Sequence, residues 1–279
     1  MQMVDSLITK KNLVGTKMSE LHKYLTGFEN YSKPLPFYVD DLFTDAQIKS
    51  IRELIEENRK LEPFVIGDKI SDGYIRESEF KSRYQPKIPR NMARMLIEFD
   101  MPEDCEKRLD DIAKPLYNED IALCHWNYID YNLKYGYGDN SPALPPHLDA
   151  DENLVTINYC PDTNIDWDLY VSNWNDTGNF TKYSLKGGQT IVFSAVNQIH
   201  WRPKRKFKEG EFCEIISMDY CRPDTYRFTG KDNPIDPEKF PERRQKYLDE
   251  LQSRPDMRAA FDLWNSDGIA DGIDLRSMG

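Results

Sequence analysis

The sequence predicts a mainly β protein, a sandwich or closed jelly roll with helices at its flanks. Three observations carry this. Between Ile121 and Tyr220, short apolar runs are separated by turn signals such as Pro161-Asp162, Asp176-Thr177-Gly178 and Lys186-Gly187-Gly188. The first of these runs alternates strictly, with Ile121, Leu123, His125, Asn127 and Ile129 on one face and Ala122, Cys124, Trp126 and Tyr128 on the other. Helical periodicity is confined to the stretches on either side. Many short strands joined by polar turns are the pattern of sandwiches and closed rolls.

The elements follow in order. Residues 1–33 are polar, and Met18, Leu21, Leu25 and Phe28 at helical spacing predict a short docking helix in an N-terminal extension. Leu35 to Val39 reads as a first strand. Thr44 with Gln47 three residues later is a capping-box pattern, and Ile48, Ile51, Leu54 and Ile55 trace one apolar helical stripe behind it. Residues 63–90 read as loops around a brief Phe64-Val65-Ile66 run. Two further helices are expected, one carrying Met92, Met95, Leu96 and Phe99. The other carries Leu109, Ile112 and Leu116 behind the acidic start Glu103-Asp104. The β region then runs through Leu154–Cys160, Trp167–Val171, Tyr183–Leu185, Thr190–Ala195 and Glu211–Tyr220. Residues 224–279 return to helical character, with a Phe240, Tyr247, Leu248, Leu251 stripe and with Phe261, Leu263 and Trp264 placed to dock on the sheet.

Composition narrows the function. The 279 residues are 39% hydrophobic and 12% aromatic, enough for a sizeable core and too aromatic for a disordered chain. A net charge of −11 argues against binding nucleic acid, which requires Lys and Arg to neutralise phosphates. No apolar run reaches membrane-spanning length, and Lys10-Lys11 is not followed by the apolar core of a signal peptide, so a cytoplasmic protein without a membrane partner is expected. The five cysteines are scattered and lack a Cys-x-x-Cys, so neither a disulfide framework nor a structural zinc site is expected.

The chemistry concentrates between Pro145 and Arg202. In an extended segment, residues two apart point the same way, so His147 and Asp149 can grip one ion, and Pro145-Pro146 favour extension just before them. His200 follows an apolar strand led by Gly187-Gly188, and a facing strand can bring it to the same point. Two imidazoles and one carboxylate are the ligand set of a non-haem iron(II) site that leaves one face of the metal open. His22 reads as solvated and His125 as a structural hydrogen-bonder.

Four segments together carry a resemblance: Pro146-His147-Leu148-Asp149, Leu154 to Tyr159, Lys186 to Phe193, and Ile199-His200-Trp201-Arg202. They resemble the 2-oxoglutarate/iron(II)-dependent oxygenases, most closely the prolyl-4-hydroxylase-like branch, whose start is also similar to Pro36–Leu42 and the helix after it. The resemblance implies a double-stranded β-helix (a jelly-roll, cupin-like core) over residues 34–223, between extensions 1–33 and 224–279. It implies His147, Asp149 and His200 as metal ligands and catalytic centre, and a dioxygenase using Fe(II), 2-oxoglutarate and O2, with ascorbate as a further candidate. The expected reaction is hydroxylation or a related oxidation of a C–H bond in a small-molecule, amino-acid or peptidyl substrate, releasing succinate and CO2. A carboxylate at Asp149, where related halogenases carry a small residue, favours oxidation over halogenation.

One position departs from the family pattern. A basic residue about ten positions after the distal histidine usually pairs with the far carboxylate of 2-oxoglutarate, and here that region reads Glu209-Gly210-Glu211-Phe212. Arg202, Arg205 and Lys208 are the nearest basic candidates, with Tyr128, Tyr159 and Thr190 as hydroxyl donors. Two alternatives remain at this stage: a non-catalytic jelly-roll module that retains the ligands, and a cupin-type metal enzyme independent of 2-oxoglutarate.

Overall fold

The computed structural model describes residues 28–63, 81–136, 141–149, 153–174, 176–224 and 254–266. Strand β1 (Phe37–Val39) leads into helix α1 (Asp45–Arg59), and β2 (Arg94–Ile97) precedes α2 (Glu103–Ala113). Then come β3 (Ala122–Asn132), β4 (Leu144–His147), β5 (Val155–Tyr159), β6 (Leu169–Asn173), β7 (Asp176–Tyr183), β8 (Thr190–Phe193), β9 (His200–Arg202) and β10 (Phe212–Cys221). Helix α3 (Pro255–Ser266) is the last described element. The strands form a six-stranded antiparallel sheet, β1-β8-β5-β10-β3-β2, and a four-stranded one, β4-β9-β6-β7.

The pairing explains the architecture. β3 pairs with β10, β4 with β9, β5 with β8 and β6 with β7. This is a long hairpin, β3–β6 outward and β7–β10 back, wound over itself so that its rungs fall in two facing sheets. The fold is a double-stranded β-helix with β1, β2 and the helices added outside.

Strand parity then sorts the side chains into separate cores. Ile129, Tyr131, Leu169, Val171, Ile191, Phe193, Cys213 and Ile215 fill the space between the sheets. The alternate residues of the large sheet, among them Tyr128, Ile157, Tyr159, Ile216 and Met218, face outward and are covered by α1 and α2. The large sheet is therefore buried on both sides, which its nearly continuous apolar strands require. Helix α1 opens on the expected capping box. Thr44 Oγ1 accepts from the Gln47 amide, and Gln47 Oε1 accepts from the Thr44 amide. Ile51 and Ile55 bury its inner face. Helix α3 docks through Trp264, whose ring is 1% exposed beside Trp201, while Leu263 stays 42% exposed.

Three local expectations are corrected. The expected helix over Met92–Phe99 is strand β2. Ala93 at φ 45° ends a 3-10 turn and is incompatible with helix continuation, and burial then alternates, with Met95 and Ile97 buried between partly exposed Arg94 and Leu96. A four-residue apolar run fits either period, and here edge pairing with β3 decides it. The turn expected at Asp176–Gly178 lies inside β7, because Asn173 already pairs with Asp176 and the chain reverses before it. A disulfide joins Cys124 and Cys221, 97 residues apart in sequence but adjacent through the β3–β10 pairing. The predicted stripes over Met18–Leu25 and Phe240–Leu251, and the run Phe64–Ile66, lie outside the described residues. No helix among the described residues is long and apolar enough to cross a membrane.

Removing the cap and removing core volume should differ in size. Thr44→Ala is expected to cost about 1 kcal/mol and Ile51→Ala about 2–5 kcal/mol, read as shifts in the urea unfolding midpoint at constant slope. A cap loss as large as the core loss would contradict the packing described for α1.

Candidate metal centre

β4 and β9 are antiparallel neighbours, and their register sets His147 directly opposite His200. Their rings lie 4.1 Å apart between centroids. Asp149, two residues beyond His147, is held by its amide donating to the Ala195 carbonyl at 2.9 Å. One ligand atom from each of His147, Asp149 and His200 falls within 4.8 Å of the others. Asp149 Oδ1 is 3.5 Å from His147 Nε2 and 3.8 Å from His200 Nε2.

Each group is aimed by a second contact. His147 Nδ1 lies 2.7 Å from the Pro145 carbonyl and His200 Nδ1 3.1 Å from the Gln198 carbonyl. A carbonyl can only accept, so each Nδ1 carries the proton and each Nε2 lone pair is left facing the cluster. Asn153 Nδ2 donates to Asp149 Oδ2 at 3.0 Å, which leaves Oδ1 as the free oxygen. Phe193 packs edge-on against His200 at 4.9 Å and walls it off from water.

The electrostatics match this arrangement. Burial alone would raise the Asp149 carboxyl. The His147 contact and the fields of His200 and His147 outweigh that and hold it well below the usual carboxylate range. His200 is pushed down from 6.5 to about 4, first by burial and then by His147. Near neutrality the cluster therefore offers an ionised carboxylate and a neutral, ligating His200. These donors fit a borderline divalent cation such as iron(II): two imidazole nitrogens, one carboxylate oxygen and supporting hydrogen bonds to every ligand.

The other candidates separate by strand face. Arg202 lies two residues from His200 on β9 and points into the same interior. It is 2% exposed; Nη1 donates to the Trp167 carbonyl, the guanidinium lies 5.1 Å over the Trp167 ring, and Nη2 is buried without a hydrogen-bond partner. Its charge also acts on the buried Cys160 and Cys213 thiols, which marks the deep end of the roll. Arg205 instead pairs with Glu211 at 3.2 Å, and Lys208 is exposed, its amide donating to the same carboxylate at 2.8 Å. Glu211 thus fastens the 205–211 loop.

Tyr128 and Tyr159 are not brought to the cluster. Both lie on the helix-covered face of the large sheet, where Tyr128 Oη accepts from Arg59 and the Tyr159 ring packs against Phe43 at 5.3 Å. Thr190 shares that outward parity with Val192. Asn153 was not foreseen, because its role depends on a four-residue step back to Asp149 that has no motif.

No protein-family profile matches the chain, and no curated protein matches it. Solved structures resemble it in shape. EvdMO1 shares 12% identity at a TM-score of 0.44 over 70% of this chain and 49% of that one, so this chain spans about half of that protein's length. A prolyl hydroxylase from Trichoplax adhaerens, solved with a hypoxia-inducible-factor peptide, shares 10% identity at 0.45, covering 71% of this chain and 87% of that one. HygX from Streptomyces hygroscopicus, with nickel and 2-oxoglutarate bound, shares 11% at 0.42, covering 74% and 88%. The fold class rests on the strand order given above.

Metal-free protein should lose stability in a defined acid window. Unfolded His200 takes a proton below about 6.5 while the folded residue resists until about 4. The unfolded state then binds more protons, so stability falls as pH drops through that window, by up to about 3 kcal/mol. Chemical unfolding at a series of pH values should show this slope, and His200→Gln should flatten it.

Proposed function

We propose that the protein is an iron(II)- and 2-oxoglutarate-dependent oxygenase that hydroxylates, or otherwise oxidises, a C–H bond of a small-molecule, amino-acid or peptidyl substrate. The observation that carries this reading is the His147–Asp149–His200 cluster, with both Nδ1 atoms tied to carbonyls and both Nε2 atoms turned inward. When bound, iron(II) and 2-oxoglutarate activate O2 toward a C–H bond, with succinate and CO2 as co-products and ascorbate as a candidate reductant.

The chain's own residues supply the rest. His147 Nε2, His200 Nε2 and Asp149 Oδ1 would hold the metal, and Asn153 fixes which carboxylate oxygen faces it. Arg202 is the favoured partner for the far carboxylate of 2-oxoglutarate. It is the basic candidate facing the interior, and a planar guanidinium suits a carboxylate. Ile129, Phe193 and Ile215 line the intervening space and exclude water. Residues 34–223 are the proposed catalytic unit, with 1–33 and 224–279 as extensions. Glu211 in the usual basic position favours one second reading, a metal enzyme of the same fold that works without 2-oxoglutarate.

Anaerobic addition of Fe(II) and then 2-oxoglutarate should give a visible charge-transfer band in the wild type and none in His147→Ala or Asp149→Ala. Identical spectra in all three would sink the metal site; a metal-dependent change without a response to 2-oxoglutarate would select the second reading. Arg202→Gln should weaken apparent 2-oxoglutarate affinity by roughly tenfold or more, the worth of a charge-assisted hydrogen bond. Arg205→Ala and Lys208→Ala should leave it nearly unchanged.

A further inference from the structure

Beside the metal cluster, the floor of the roll carries two rows of polar side chains that the proposed chemistry does not use. On β10, Ser217 stands opposite Asn127 of β3 and Asn158 of β5, and Asp219 stands opposite His125 and Thr156. All six share the inward parity of Ile129, Ile215 and Cys160. They lie toward the end that holds Asp149, because Leu154, next to Asn153, donates its amide to the Tyr220 carbonyl at 2.9 Å.

These rows are rich in acceptors. Thr156 Oγ1 donates to Asp219 Oδ1 at 2.8 Å, so its proton is already used. Asn127 Nδ2 faces His125 Nε2 at 2.9 Å. The carboxamide oxygens of Asn127, Asn158 and Asn153 are buried without a hydrogen-bond partner. Asn153 as a whole is 4% exposed, and its amide nitrogen is the one that holds Asp149. Three orphaned acceptors, Asn127 and Asn158 flanking Ser217 on the inner face and Asn153 beside Asp149, call for donors from outside the chain, since buried polar groups in folded proteins are paired. None of the six floor residues is Lys or Arg, and Asp219 adds a carboxylate, so an anionic ligand finds no counter-charge there.

We propose that this floor is the substrate-recognition surface, and that it takes a neutral or cationic small molecule presenting several O–H or N–H donors on one side, such as a polyol or an amino sugar. Asn127, Asn158 and Asn153 are its specificity-determining acceptors. This rests on the oxygenase reading for the identity of the site, though binding itself does not require turnover.

The test is binding of sorbitol, glucosamine and gluconate to the purified full-length chain, by saturation-transfer NMR and calorimetry without O2. Sorbitol and glucosamine distinguish hydroxyl from ammonium donors, and gluconate is the anionic control. At least one of the first two should bind about tenfold or more tightly than gluconate, a difference of about one charge-assisted contact. Asn158→Leu should lose that binding about tenfold with no fall in melting temperature, because it removes an oxygen that has no partner. Asn158→Asp, which keeps an acceptor, should retain it. Equal binding of gluconate, binding of none of the three, unchanged affinity in Asn158→Leu, or a lowered melting temperature in that variant would each overturn the proposal. Failure of the oxygenase reading would appear separately, as a missing Fe(II)–2-oxoglutarate band.

Discussion

The pairing of β4 with β9 is the constraint on which the site depends. His147 and His200 meet because one register holds, and a slip of one residue would turn His200 outward and bring Trp201 inside. Three-residue β9 is too short to specify that register by itself. Gln198, fully buried just before it, does so. Its Oε1 accepts from the Ser194 amide at 3.0 Å, and its Nε2 donates to the Ser172 and Leu35 carbonyls at 2.7 and 3.1 Å. The turn before His200 is thus fixed to β6 and to the segment leading into β1. Two backbone bonds, Asp149 to Ala195 and Val196 to Asn153, fasten the same turn to the loop that carries the carboxylate.

Two-sheet winding gives the cluster its chemistry as well as its position. Facing sheets enclose His200, so its charged form is disfavoured and the neutral, ligating form persists at neutral pH. The carboxylate sits in the same enclosure yet stays ionised, because imidazoles and the Asn153 amide surround it. Burial thus keeps His200 neutral, while the contacts around Asp149 hold it ionised against the same burial. The outer face of the large sheet does different work. There Arg59, Asp130 and Glu214 form an ion-pair group around Tyr128 under α1, and that network anchors the helix without reaching the interior.

How much of this was legible from the sequence depends on the range over which the information lies. The Thr44–Gln47 capping box is a local signal and appears where local physics places it, whereas the alternation expected over Ile121–Ile129 is broken by a bulge at Cys124 that puts Ile121 and Leu123 in the outer core and Ile129 in the inner one. His147 and Asp149 were legible as a pair because two residues of strand suffice to aim them, and His200 because it ends an apolar run. The β2 segment was not, since Met92–Phe99 carries too few residues to distinguish a period of 2 from 3.6, and pairing with β3 decided it. Likewise the Cys124–Cys221 link and the row of Asn127, Ser217 and Asn158 exist only through the register of β10 with its neighbours. Spacing along a chain carries none of that. The outward placement of Tyr128 and Tyr159 likewise follows from which side of the large sheet the helices cover.

The same reasoning separates Arg202, Arg205 and Lys208, three of the five basic residues between His200 and Glu209. A guanidinium gains little from burial unless something inside needs it, because desolvating a cation is costly and a surface position removes the cost. Arg205 and Lys208 stay at the surface, and the Glu211 carboxylate accepts from the Arg205 side chain and the Lys208 amide. Arg202 is buried with only Nη1 satisfied by a carbonyl, and its stacking on Trp167 compensates part of the remainder. Its position is also fixed relative to the ligands, since two residues of strand separate it from His200 by about 7 Å. An anchor carried on β9, beside the ligand itself, would hold that distance through a single strand, so Glu211 is free to serve the loop.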